Sequence, residues 1–152
     1  MDPSEAKTRR ILQDLFASQR LAVMATHDDD GQPYASLMAF VATDDLGQLL
    51  VATARSTRKY ANLMADPRVA LLVDSRSNRD SDIHRAVAVT VLGEAGEVGD
   101  AERDGLVRGY LAKHPHLEEF VASPSCALIR VKVVSYYLVS KFQEVMELHV
   151  GG

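Results

Sequence analysis

The 152-residue chain has a single cysteine, no long apolar run and no excess of positive charge. One cysteine excludes an intrachain disulfide and a cysteine-based zinc site. That residue, Cys126, lies in the apolar run Cys126-Ala127-Leu128-Ile129 with no histidine or basic residue beside it. It therefore reads as a buried small hydrophobe rather than a reactive thiol. No stretch approaches the about 20 apolar residues of a membrane span, and Met1 to Arg20 shows no continuous apolar segment of the kind a signal peptide needs. A cytoplasmic protein without a membrane partner is expected. The 17 lysines and arginines against 21 acids give a net charge of -4, which argues against nucleic acid as a partner but leaves room for one local basic site. No repeat, low-complexity tract or linker divides the sequence, so residues 1–152 are expected to form one domain.

The first element is written as a helix. Asp2 can cap, Pro3 suits the first helical position, and Ile11, Leu12, Leu15 and Phe16 fall on one face of a helix over about 3–18. The pattern then changes to strands: Leu21 to Thr26, Tyr34 to Thr43 and Gln48 to Thr53, joined by polar turns at 27–33 and 44–47. A helix follows over Ser56 to Ala65, then a strand over Val69 to Val73 and an exposed loop over Asp74 to Asp82. His84 and Arg85 open the next strand, Ala86 to Leu92, with a bulge at Gly93 or Gly96. Asp100 caps a helix from Ala101 to Lys113, a shorter helix follows Pro115, and Ala127 to Val134 and Tyr136 to Leu148 close the sheet. The result is a β-rich α+β fold: six to seven antiparallel strands in a closed barrel, which removes exposed edges, with helices at its periphery.

The segment Thr53-Ala54-Arg55-Ser56-Thr57-Arg58-Lys59 ends a strand and starts a helix. Three cations there oppose the positive end of the helix dipole, each at about 0.3–1 kcal/mol. A bound phosphate would reverse that sign. Free N–H groups and the hydroxyls of Ser56 and Thr57 would donate to it, and Arg58 and Lys59 would pair with its charge. A solvated basic turn is the competing reading of the same residues, since no glycine-rich cradle is present.

The order and spacing of several segments resemble the pyridoxamine 5'-phosphate oxidase-like FMN-binding split-barrel superfamily. They are Gly31-Gln32-Pro33-Tyr34, the strand from Ser36 to Val41, the strand from Leu49 to Thr53, Ser56-Thr57-Arg58-Lys59, and Ala65-Asp66-Pro67-Arg68-Val69-Ala70-Leu71-Leu72. The resemblance covers residues 18–98 and fits 126–141 more loosely. It implies a homodimer with FMN in a groove between subunits, acting on a small-molecule substrate. The backbone of Ser36, Leu37, Met38, Ala39 and Phe40 would line the isoalloxazine, with Ala52 and Thr53 close to it and Arg58 and Lys59 on the phosphate. The oxidases of the family have arginine where this chain has Ser36, lysine at Val41 and glutamine at Ala88, and a basic C-terminal segment that this chain lacks. The resemblance therefore implies a flavin-dependent oxidoreductase without pyridoxamine phosphate oxidase activity. A flavin- or haem-binding sensor or store, or a deazaflavin-dependent reductase, stands beside it.

His84 and His149 are the candidate haem ligands, their plain readings being a solvated side chain and a tail residue. His114-Pro115-His116 makes a poor metal pair, with proline between the histidines. Of Tyr136 and Tyr137, alternation turns one inward and one outward. Lys141-Phe142-Gln143 could reach a partner's flavin. Glu118-Glu119 and Asp28-Asp29-Asp30 read as solvated surface and turn.

Overall fold

The computed structural model describes residues 2–140 and 144–151. Helix α1 spans Pro3–Ser18; the Asp2 carboxylate accepts from the Ser4 N–H at 3.1 Å, and Pro3 stands in the first turn. Its apolar face plugs the sheet. Phe16 packs edge-on against Phe40, with ring centres 5.7 Å apart, and lies 5.8 Å from Tyr136.

Strands β1 (Leu21–His27), β2 (Pro33–Ala42), β3 (Gln48–Ala54), β4 (Arg68–Asp74), β5 (Ala88–Glu97), β6 (Cys126–Ser140) and β7 (Glu144–His149) form one antiparallel sheet in the order β3-β2-β1-β4-β5-β6-β7. Pairing of β3 with β6 closes the first six strands into a barrel, and β7 is added to the free half of β6. Inward residues alternate along the strands and fill the barrel with Met24, Phe40, Leu71, Val91, Ile129 and Leu138, among others. Helix α2 (Arg58–Ala65) joins β3 to β4, the short α3 (Asp82–Arg85) precedes β5, and α4 (Asp100–Lys113) and α5 (Glu118–Ala122) lie between β5 and β6. Together, α4 and α5 cover a second core on the outer side of β2, β3 and β6, built from Leu50, Ala52, Val98, Tyr110, Val121 and Leu128 with Cys126. The Cys126 thiol is buried, and desolvation raises its pKa.

The structure corrects several expectations. His84 and Arg85 belong to the helical turn α3, and β5 starts at Ala88, because the Asp82 carboxylate gathers the N–H groups of Ser77 and Arg79 and folds the loop back into a turn. Helix α4 is capped by Gly99, with no side-chain cap, and Asp100 is its first residue. The break expected at Ser135 is a bulge. Gly93 pairs with Val133 and Leu92 with Ser135, so Val134 is the extra residue on β6 and the strand continues. His114 is buried, with Nε2 2.8 Å from the Phe40 carbonyl oxygen, and desolvation lowers its pKa. His149 ends β7 and is held 2.7 Å from the Ser135 hydroxyl. Tyr136 faces the core and donates to the Leu46 carbonyl, while Tyr137 is half-buried.

Candidate functional site

β2 and β3 pair over only three residues, Phe40 with Val51, Val41 with Leu50 and Ala42 with Leu49. Beyond that they part. The N-terminal half of β2 keeps only β1 as a partner, and the C-terminal end of β3 keeps only β6. In an antiparallel ladder, successive residues turn their peptide groups to opposite sides. The Phe40 N–H donates to Arg20 O on the β1 side, so Leu37 and Ala39 turn theirs away from β1, toward the opening. Ala52 turns toward the same opening by the same alternation. Two strand edges with main-chain donors and acceptors thus face one another across a split.

Helix α2 starts beside this split. Its N-cap is Thr57, whose hydroxyl accepts from the Tyr60 N–H, donates to Ala54 O at 2.9 Å and lies 2.9 Å from the Thr53 hydroxyl. The helix accordingly begins at Arg58, two residues later than the sequence pattern suggests, because Ser56 stays in the turn. Its first turn holds no acidic residue.

The three cations of the segment have different fates. The Arg55 guanidinium donates to the Glu97 carboxylate at 2.6 Å and to Pro124 O at 2.8 Å, while its backbone N–H donates to Ser125 O. Tyr60 donates to the other oxygen of Glu97 at 2.6 Å. Arg55 and, after it, Tyr60 hold the Glu97 carboxyl below its ordinary value. Arg55 is thus a bracket that ties the turn to the end of β5 and to the α5–β6 loop. Arg58 and Lys59 have no carboxylate partner among the described residues. Arg58 lies over the Tyr34 ring at 5.9 Å, which joins α2 to the start of β2.

The remaining candidates fall into two groups. Leu37 is exposed, and the Ser36 side-chain oxygen is shut off from solvent without a hydrogen-bond partner among the described residues. Met38 and Phe40 point into the barrel core, Ala39 and Ala52 into the second core, and Thr53 is buried against α2. A ligand in the split would meet Ala39 and Ala52 through their main chain, while Met38 and Phe40 turn theirs to β1 and Thr53 turns its own to β6. Val41 packs against the second core, and Ala88 starts β5. Lys141-Phe142-Gln143 lie outside the described residues. Two residues that sequence reasoning missed border the split: Glu97, through Arg55, and Tyr110 of α4, which donates to Ala39 O. The one hint was Tyr110 as the sole aromatic of helix α4.

Among the described residues no group of three or more metal-ligating side chains is placed to hold a metal ion. No described helix is long and apolar enough to cross a membrane.

A closed antiparallel barrel, split between β2 and β3 with a basic helix start at the opening, defines a split barrel. The sequence profile described as Pyridoxamine 5'-phosphate oxidase matches residues 9–140, and the chain belongs to that family. Among solved structures, it is similar to a haem binding protein from Mycobacterium smegmatis, with 19% identity and a TM-score of 0.82, covering 98% of this chain and 59% of that one. It is also similar to General Stress Protein 26 from Bacillus anthracis, with 21% identity and a TM-score of 0.73, covering 94% and 98% of the two chains. An FAD-binding protein from Mesorhizobium loti is 20% identical with a TM-score of 0.66, covering 85% of this chain and 90% of that one. At these identities the likeness is one of fold. No curated protein matches the chain significantly.

Proposed function

We propose that the protein binds FMN, with the phosphate at the start of α2 and the ring in the split, and uses it as a cytoplasmic homodimeric oxidoreductase on a small organic molecule. One observation carries this reading. Arg58 and Lys59 are cations without a carboxylate partner among the described residues, on a helix N-terminus with no acid in its first turn, beside an open split. A phosphate dianion is the group that such a place stabilises. The residues present fit the ring as well. Main-chain donors and acceptors at Leu37 and Ala39 face the opening, and the Ser36 hydroxyl is left without a partner among the described residues. The flavin, when bound, supplies hydride and electron transfer, and the chain binds it, orients it and excludes water.

Support for the dimer comes from the outer face of the sheet. Leu37 is 65% exposed, Leu21 50% and Leu72 37%. Val23 is the partner of both Leu37 and Leu72, so these side chains form one apolar stripe across β2, β1 and β4. A hollow of about 390 Å³ there is lined by Leu21, Val23, Leu37, Leu72, Arg20 and Arg76. Leu37 presents its side chain to this stripe and its main chain to the split, so a second copy covering the stripe would border the flavin.

The second reading, haem, draws on the mycobacterial neighbour. Against it, both ring nitrogens of His149 are engaged, Nδ1 with Ser135 and Nε2 with Glu147 at 3.1 Å, so ligation of iron would break one of these contacts.

Purified protein is expected to quench the fluorescence of about one added FMN per subunit and to scatter light as twice 16.6 kDa. Bleaching of the yellow complex by a nicotinamide reductant would mark an enzyme rather than a carrier. A 16.6 kDa particle carrying flavin would refute the dimer. Leu37→Asp, which would bury a carboxylate in the apolar stripe, is expected to give that monomer and to weaken FMN binding.

A further inference from the structure

A second hollow lies at the other end of β2 from the split. It has a volume of about 190 Å³ and is lined by Phe16 and Ala17 at the end of α1, by Val41, Ala42 and Leu46, and by Lys113 at the end of α4. The walls are mostly apolar and hold one cation. The polar groups beside them are engaged elsewhere. The Gln13 amide donates to Asp44 O at 3.1 Å, and the Thr43 hydroxyl donates to the Asp45 carboxylate at 2.7 Å. Asp44 itself is exposed.

Lys113 is an ammonium without a counter-ion. Its Nζ donates to Phe16 O at 2.8 Å and so caps α1, a helix with no basic residue in its own last turn. The same nitrogen stands 4.0 Å from the centre of the Phe40 ring. An ammonium carries three donors, of which Phe16 O takes one. Among the described residues no carboxylate pairs with Lys113. The charge beside it is a second cation, Arg20, whose guanidinium donates to Lys113 O at 3.4 Å. Burial and, after it, Arg20 lower the Lys113 pKa to about 8. An anion brought to this nitrogen would offset the loss of water around it.

We propose that this hollow binds a small monocarboxylate with an apolar body, its carboxylate paired with Lys113 and its hydrocarbon part against Phe16, Val41 and Leu46. One cation among apolar walls suits a monoanion with a hydrocarbon part better than inorganic phosphate or sulfate, which need several donors. Sites for drug-sized ligands hold about 300–1,000 Å³, so a hollow of about 190 Å³ limits the acid to a short chain or a single ring. No residue of α2 or of the unpaired half of β2 lines it, so the proposal stands apart from the flavin reading.

Benzoate is the probe, with benzamide as its neutral counterpart. Titrated into isotope-labelled protein, benzoate is expected to shift the amide signals of Val41, Ala42 and Leu46 and to saturate in the millimolar range or below. Benzamide should bind at least roughly tenfold more weakly, and Lys113→Met, which keeps an apolar stem and removes the charge, should weaken benzoate by a similar factor. Lys113→Met also removes the cap of α1, so Ala17→Phe is the second variant. It fills part of the hollow from an exposed position and leaves Lys113 in place, and benzoate affinity should fall there too. Equal affinity for benzoate and benzamide would overturn the proposal. So would shifts confined to other surfaces, unchanged affinity in Ala17→Phe, or no saturable binding by the parent protein.

Discussion

Replacing Arg58 or Lys59 with alanine is expected to raise the FMN dissociation constant by roughly ten- to a hundredfold and to leave riboflavin binding nearly unchanged. A hydrogen bond to a charged group contributes about 1.5–3 kcal/mol, and each 1.4 kcal/mol is about tenfold in affinity. Neither cation is paired with a carboxylate among the described residues, so their removal orphans no partner in the apo protein. Both stand at the positive end of α2, so the apo fold should be unchanged or slightly more stable. Arg55→Ala is the contrast. It removes the bracket to Glu97 and Pro124, and affinity for both flavins should fall together with stability. Titrations of FMN and riboflavin, beside thermal melts, read all of this. Equal loss of FMN and riboflavin in Arg58→Ala would mean that the residue acts on structure, and no loss of either would mean a solvated turn.

Gly93→Ala is expected to be the most damaging single methyl in the barrel. A Cβ at Gly93 would stand 2.5 Å from the Lys132 carbonyl oxygen and 2.8 Å from a Val131 methyl. The obstacle is main chain of the neighbouring strand, which cannot rotate away. Overpacking of this kind costs about 1–3 kcal/mol and occasionally more, and each kcal/mol lowers the melting temperature of a domain this size by about 2–4 °C. The bulge at this point also sets the phase of β6, which pairs β5 along one edge and β3 along the other, so the damage would reach the wall of the split. Gly96→Ala is the control, since a Cβ there meets nothing within 4 Å. Equal melting temperatures for the two variants would show that the bulge relaxes to admit the methyl.

Local signals made much of the fold legible in the sequence. The Asp2-Pro3 start of α1, the alternation along β1 to β3 and the hydroxyl cap of α2 are each written within a few neighbouring residues, and each is present in the structure. The family was legible in the order of such pieces, and the profile match over residues 9–140 bears it out. What was not legible depends on contacts between distant segments. His114 enters the sequence reading only as half of a poor metal pair, yet the packing of α4 on β2 buries it against Phe40 O. The cations at 55, 58 and 59 look alike in sequence. Only the arrival of Glu97 from the end of β5 separates the structural one from the two left without a carboxylate. The apparent break at Ser135 misread a bulge, because an extra residue shifts the phase of alternation just as a strand end would. Nothing near Tyr110 in sequence announces its hydroxyl contact with Ala39, because β2 lies 71 residues away.

The central claim is that FMN sits with its phosphate on the start of α2 and its ring in the split between β2 and β3. A crystal structure of the protein grown with FMN tests it most directly. The account predicts phosphate oxygens within hydrogen-bonding distance of the Arg58 and Lys59 side chains and of the N–H groups that open α2, with the ring against the main chain of Leu37 and Ala39. FMN bound elsewhere on the barrel, or a split that stays without flavin while Arg58 and Lys59 point to solvent, would contradict it.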